Sequence, residues 1–536
     1  MNLLMRASIT KHKKYAIATA IICVLAALPG CGIPKLRNPL AARELPDTFN
    51  GEVSSENSSQ VSVEEFFGDP LLLSLLDQGL NGSLQLKILN ENIEIANNEV
   101  LRRRGAYLPF VTLGGRAGVE KPSLFTPLGQ VDDQLQYFPG HTFPTPLPNF
   151  LVAANVSWQV DIWRQLRNSR DAQALRFLGT TDGRNYVVTR LVADIAENYY
   201  HLMALDKTME NLDRTIALQE KSLEFAIARK EGARGTELAV QRFRAEVRRN
   251  QSEKLIIRQD IIETENQINY LVGRYPEPVQ RSTEFFDLNL HPLSVGVPCD
   301  LLLNRPDIRM AERELEAAGL DVLVARADFY PKLNIYAGVG YEAFNAKYLF
   351  MTPQSLIYNV AGDLVAPLIN KRAIQAEYMN ANAKQLQALY DYQRTVLNAF
   401  TEVINRMSKV KNYSESLAIK KEQLDALEAS VVSATQLFQG ARVEYMDVLF
   451  AQRDLRDART VYIDTKKEQL SAVVNTYQAL GGGLVRSTQF VDGGVIVSPL
   501  PSLPSPTPMS DAPAVVTPSP DKAETSDKTN KTDDLP

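Results

Sequence analysis

The chain has 536 residues, 45% of them hydrophobic and 23% charged, which is enough for a large core. Its 58 basic and 63 acidic residues leave a formal net charge of -5, which argues against nucleic acid as a partner. Three cysteines and four scattered histidines (His12, His141, His201, His291) offer neither a disulfide framework nor metal-ligand spacing, so no metal and no cofactor is expected.

Arg6, Lys11, Lys13 and Lys14 make a basic start, and an apolar run over residues 15–28 comes after it. The run is short for a membrane span and ends in small residues, so residues 1–30 read as a secretory signal. It stops at Leu28-Pro29-Gly30-Cys31, which resembles a bacterial lipoprotein cleavage box. The resemblance implies that Cys31 becomes the mature N-terminus and is acylated, palmitate being a typical chain, so that 31–66 is a lipidated N-terminal segment. Gly32 stands where lipoproteins kept in the inner membrane typically carry an acidic residue, which favours outer-membrane sorting. The alternative is an ordinary signal peptide with an incidental cysteine. Cys23 leaves with the signal, so Cys299 alone would remain a free thiol.

Strand patterns come next. Val111, Leu113, Ala117 and Val119 alternate with Thr112, Gly114, Arg116 and Gly118. Later, Leu333, Ile335, Ala337, Val339 and Tyr341 alternate with Lys332, Asn334, Tyr336, Gly338 and Gly340. Return strands are expected at 151–160 and 356–366, which gives β-hairpins at about 110–162 and 332–368. The period of two gives each strand one apolar and one polar or small face, at a length suited to crossing a bilayer at a tilt. The first hairpin's proline-rich loop, 120–150, reads as extracellular. Four strands cannot close a barrel, and open edges are not viable in lipid, so several chains are expected to share one.

A long helix is predicted over 164–230, with Gly179 and Gly183 as sites of interruption near its start. Val188, Ile195, Leu202, Met209, Ile216 and Leu223 are spaced by seven, the mark of a helix packed along a seam. Adding 208 lands on Val396, Val403, Val410, Leu417, Leu424 and Val431, again spaced by seven. The same offset carries Gly232-Ala233-Arg234 onto Gly440-Ala441-Arg442, Leu238 onto Met446, and Gly273 onto Gly481. The chain is therefore duplicated. The repeats are expected at 67–273 and 305–483, joined by a linker at 274–304. Each ends in a helical hairpin, at 164–273 and 370–481. Residues 484–536, rich in proline and polar residues, read as a disordered tail.

Several motifs now resemble one family. Tyr107-Leu108-Pro109 and Phe329-Tyr330-Pro331 lead into the repeat-related strands, and Ser157-Trp158-Gln159-Val160-Asp161-Ile162-Trp163 leads from strand to long helix. Asn304-Arg305-Pro306-Asp307-Ile308 opens the second half, and Tyr445-Met446-Asp447-Val448-Leu449 lies at its hairpin tip. In order and duplicated, they are similar to the outer membrane factor family, the TolC and OprM type of duct. The resemblance implies a mainly α fold with a membrane β-barrel. Each protomer would supply four β-strands and two long helical hairpins, with equatorial helices before the first β-hairpin. A trimer would share a twelve-strand barrel above an α-helical periplasmic tunnel.

The family pattern also implies roles for particular residues. Pro109, Trp158, Trp163 and Pro331 would mark strand boundaries at the membrane interface, the tryptophans acting as an aromatic belt or as core anchors. Leu238 and Met446 would lie at the closed tip, with Met446 as a constriction. Arg453 would belong to an ion-pair latch, yet the expected carboxylate position holds Phe450, which cannot accept the bond, and Asp447 lies on a different helix face. The function implied is the outer-membrane duct of a tripartite efflux system for small molecules, with a periplasmic adaptor and an inner-membrane pump as partners. A duct for protein or peptide secretion and a channel-less periplasmic scaffold lipoprotein are the alternatives. No enzymatic constellation is evident. Ten methionines, none clustered at the tips, give no soft-ligand path for metal efflux.

Overall fold

The computed structural model describes residues 33–38, 45–49, 58–288, 290, 293–294, 296–367, 371–440 and 442–483. The signal, Cys31 and the C-terminal tail lie outside these residues.

Three helices open the described fold: α1 (Val63–Phe67), α2 (Pro70–Gly82) and α3 (Leu84–Ala106). Asp69 caps α2 by accepting from Leu71 N at 2.9 Å, with Pro70 at the first turn. Then come β1 (Phe110–Glu120), a loop holding α4 (Pro127–Gln134), β2 (Gln136–Phe138) and β3 (His141–Thr142), and the return strand β4 (Leu147–Val160). The long helices α5 (Gln165–Glu231) and α6 (Glu237–Val272) form the first hairpin. The second half repeats the plan with α7 (Asp300–Asn304), α8 (Pro306–Ala327), β5 (Lys332–Ala343), β6 (Leu356–Val365), α9 (Arg372–Gln439) and α10 (Tyr445–Ala479). At about 1.5 Å per residue, the 67 residues of α5 extend ~100 Å.

Two expectations are corrected here. Gly179 and Gly183 do not interrupt α5, because both lie where α8 crosses it closely. A Cβ on Gly179 would stand 3.5 Å from that of Arg313, and one on Gly183 would stand 2.9 Å from the Met310 sulfur. The close packing outweighs a helix propensity deficit of roughly 1 kcal/mol. Second, β4 begins at Leu147 rather than 151, because Pro148 and Phe150 extend its apolar row opposite Val119 and Ala117. The loop it closes is not plain coil, since it contains α4, β2 and β3.

The duplication is visible in the backbone. Gly232 and Gly440 end α5 and α9 with φ of -76° and -75°. Gly273 and Gly481 follow α6 and α10 with φ of +82° and +94°. At both of the latter, chain crowds against chain. A Cβ would meet the Gly82 carbonyl oxygen at 2.5 Å in one case and that of Asn304 at 2.7 Å in the other. Glycine is required there by conformation and by space.

The largest core gathers α1, α2, the middle of α5, the end of α6, the linker and the end of α10. Tyr199, Tyr200, Leu202, Met203, Ile268, Phe285 and Tyr477 are among its fully enclosed members. Tyr199 donates to Asp69 at 2.7 Å, and burial, reinforced by that hydrogen bond, raises its pKa. The linker is held down as well: Arg281 pairs with Asp206 at 2.6 Å and with Glu265 at 2.5 Å.

Candidate functional site

Two regions stand apart from ordinary core, and the first is the sheet. Its strands run antiparallel in the order β1-β4-β5-β6, so β1 and β6 are both open edges. One cross-strand row reads Leu113, Ala154, Val339, Tyr358, and the next reads Thr112, Asn155, Gly338, Asn359. The alternation continues along the sheet, giving one apolar and one polar or small face. On the polar face, a Cβ on Gly338 would meet the amide oxygens of Asn359 and Asn155 at 2.5 and 2.7 Å, so glycine makes room for two asparagines.

The base of the sheet is fastened by both tryptophans. Pro109 and Pro331 immediately precede β1 and β5. Trp158 Nε1 donates to the Tyr107 carbonyl at 3.0 Å. Trp163 Nε1 donates to that of Pro331 at 2.8 Å, with its ring stacked on Tyr330 at 4.7 Å. One segment between strand and helix thus ties down both repeat-related strand entrances. Asp161, between the tryptophans, accepts from Leu166 N at 3.1 Å and Arg167 N at 3.0 Å and so starts α5.

The second region is where the hairpins end. Thr236 caps α6 by accepting from Ala239 N at 3.3 Å, and Glu444 with Asp447 forms a capping box at α10. Ala226, Val240, Phe243 and Leu449 pack the two tips together, with Tyr445 and Met446 against them. Phe438 meets Phe225 and Phe243, and the Arg229 guanidinium lies 5.0 Å from its ring centre. Leu238 and Phe450 remain 57% and 53% exposed. Among the described residues, Arg453 pairs with its helix neighbour Asp457, at 3.8 Å on an exposed surface. Asp447 is engaged at the helix start, accepting from Glu444 N at 3.2 Å. Among the described residues of the single chain, neither Arg453 nor Asp447 is ion-paired across the two tips.

Higher up, the expected seam changes character. Val188, Ile195 and Leu202 are buried, as are Val403 and Val431 on α9, whereas Met209, Val396, Val410 and Leu417 are half-covered. Below Leu205 the buried line on α5 moves to Thr208, Thr215 and Ser222, and to Leu212, Gln219 and Ala226. The buried face of α5 changes because its neighbour changes, with Asn211 and Ser222 turned toward α10 rather than toward the core above.

The replacement line is polar, and it joins the first hairpin to α10. Gln219 accepts from Asn250 at 2.7 Å, Asn250 accepts from Arg456 at 2.8 Å, and Gln452 donates to Ser222 at 3.0 Å. Asn211 donates to the Arg456 carbonyl and to Thr460, each at 3.3 Å. Asn250 is fully buried and Gln452 is 2% exposed, yet the amide oxygens of Gln452 and Asn211 accept no bond among the described residues. Sequence reading missed this layer. The available signal was a second seven-residue row, Thr208, Thr215 and Ser222, one residue out of phase with the apolar one.

A sequence profile described as outer membrane efflux protein matches residues 75–274 and 297–482. The solvent efflux pump outer membrane protein SrpC of Pseudomonas putida is 26% identical over 469 residues, covering 85% of this chain and 96% of that protein. The cation efflux system protein CusC of Escherichia coli is 26% identical over 483 residues, covering 86% and 98%. Among solved structures, CusC superposes with a TM-score of 0.74 at 21% identity over 84% of this chain and 99% of that one. The open-state outer membrane channel MtrE of Neisseria gonorrhoeae gives 0.72 at 21% identity over 85% and 99%.

Proposed function

Because this chain belongs to the outer membrane efflux protein family, we propose that it is one protomer of a homotrimeric outer-membrane duct that passively exports small molecules. The observation that carries this reading is the sheet. It has a continuous apolar face, a polar face, strands of 10–14 residues and two unpaired edges. In lipid, every backbone group needs a partner, so copies must close the edges on one another. Three copies give the twelve strands that the family resemblance implies, with α5, α6, α9 and α10 continuing beneath them as the tunnel wall. No described helix is long and apolar enough to cross a membrane.

The lipid anchor on Cys31 is supported by the way the chain just after it is held. Ile33 and Leu36 pack against Val322, Phe329 and Tyr378, next to the entrance of β5. Asn382 brackets the Arg37 backbone, accepting from its N at 3.1 Å and donating to its carbonyl at 3.4 Å. The domain scheme proposed is a lipidated start at 31–66, repeats at 67–273 and 305–483, and a tail from 484.

At the tip, Leu238, Met446 and Phe450 form the proposed constriction. Phenylalanine at 450 closes it by apolar contact, with Arg453 and Asp447 outside any ion-pair latch. An adaptor and an inner-membrane pump are the proposed partners, and no catalytic role is assigned. SrpC bears the name of a solvent pump component and CusC that of a cation system, a difference between similar chains that supports a cargo choice made in the pump.

The test is the native mass and negative-stain shape of the protein extracted from outer membranes in detergent. A threefold cylinder of trimer mass is expected. A monomer, or a rod without a barrel end, would sink the proposal.

A further inference from the structure

The loop between β1 and β4 is built as a rigid piece. Thr126 caps α4, accepting from Gly129 N at 3.3 Å, and Gly129 is pressed against the Ser123 carbonyl. Tyr137 packs on Phe143 at 5.5 Å and reaches Phe344 at 4.9 Å, and Phe143 meets Phe344 edge-on at 5.0 Å. Phe344 itself contacts Tyr348 at 5.6 Å. Since Phe344 and Tyr348 belong to the loop between β5 and β6, aromatic contacts clamp the chain's two outer loops together.

The other side of α4 is bare. Leu128 and Val131, three residues apart on α4, are exposed, and so are Leu124 just before the helix and Leu135 just after it, so that an apolar stripe runs along the helix and both its flanks. Beside them Phe125 is 100% exposed. Five large apolar side chains on a braced element, uncovered in a loop otherwise bathed by water, call for an occupant.

We propose that the occupant is a second copy of this chain, and that the α4 stripes meet around the outer mouth of the barrel as an apolar cap. The position of the stripe selects this partner. It begins four residues after Glu120, the last residue of β1, and β1 is an open edge of the sheet. The copy that closes that edge stands alongside, so the stripe continues the interface that the barrel requires. On the β5–β6 side the loop is already filled by Phe344 and Tyr348. The cap rests on the duct reading above, and it adds a second contact between copies at the end of the molecule opposite the hairpin tips.

The test uses the full lipidated chain with Cys299→Ser and either Phe125→Cys or Leu128→Cys, expressed in the outer membrane. A short thiol cross-linker should give covalent dimers and trimers from these positions. Maleimide should label them at least tenfold more slowly than Lys121→Cys at the start of the same loop. Native mass is read in parallel. A trimer that labels fast and does not cross-link overturns the cap and leaves the duct standing. A trimer that labels slowly without cross-linking assigns the stripe to lipid and also overturns the proposal. A monomer overturns the duct itself.

Discussion

Arg305 reads in the sequence as the residue before a helix-starting proline, but in the fold it is a buried cation with three partners. Only 4% exposed, it binds Asp307 at 2.8 Å, Glu402 at 3.0 Å and the Ala479 carbonyl at 2.8 Å. It thereby joins the end of α7 and the start of α8 to the middle of α9 and the end of α10. Replacing it with methionine leaves two carboxylates facing each other without their cation. Arg305→Met should therefore cost about 3–5 kcal/mol, the range for breaking a buried pair. The check is urea unfolding monitored by helical circular dichroism, and an unchanged midpoint would refute the role. Arg305→Lys should recover only part of the loss, because an ammonium cannot form the same forked contacts. The two tryptophans teach the same lesson at this scale. Their position at the strand base was legible, whereas their hydrogen bonds to the Tyr107 and Pro331 carbonyls were not, since each partner lies far away in sequence.

Among the helices, the seven-residue row on α5 was read from sequence as one apolar seam, and the fold divides it. Above Leu205 the apolar row is buried; below, contact with α10 covers a polar row instead, and Gln219, Asn250 and Arg456 bond in series. Leu205 itself is 7% exposed, so Leu205→Lys places an unpaired charge in the packed part and should abolish trimer recovery. Val410→Lys, at a half-covered site, should be the milder of the two; equal yields would count against the packed seam. In the polar layer, Arg456→Leu alone strands the buried Asn250 oxygen and should cost roughly 1–3 kcal/mol. Adding Asn250→Leu and Gln219→Leu should recover most of that loss, because removing all partners leaves nothing unsatisfied. Losses that simply add across the three sites, measured as unfolding free energies, would exclude a coupled layer.

For the whole molecule, a sheet that cannot close by itself makes the single chain an incomplete object in a membrane. Its assembly and its anchoring are separable. Cys31→Ser should remove incorporation of a radioactive fatty acid while leaving trimers in the outer membrane, because the barrel is itself an anchor. Label retained by the mutant would end the lipoprotein reading; loss of trimers would show that acylation is needed for insertion.

What the sequence alone determined is whatever is written in neighbouring residues: the alternation of the strands, the heptads and the doubling of the chain. The matched glycines at 273 and 481 belong here too, since one backbone requirement placed both. The hairpin tips were legible from Gly232 and Gly440 for the same reason. Only the tertiary structure decided which row of α5 is buried, that Gly179 and Gly183 serve a helix crossing, and that the first outer loop folds and presents an apolar face. Each of these depends on partners brought together by the fold, as Ser222 and Gln452 are across 230 residues of chain. A local pattern states which faces a segment has, and packing decides what each face meets.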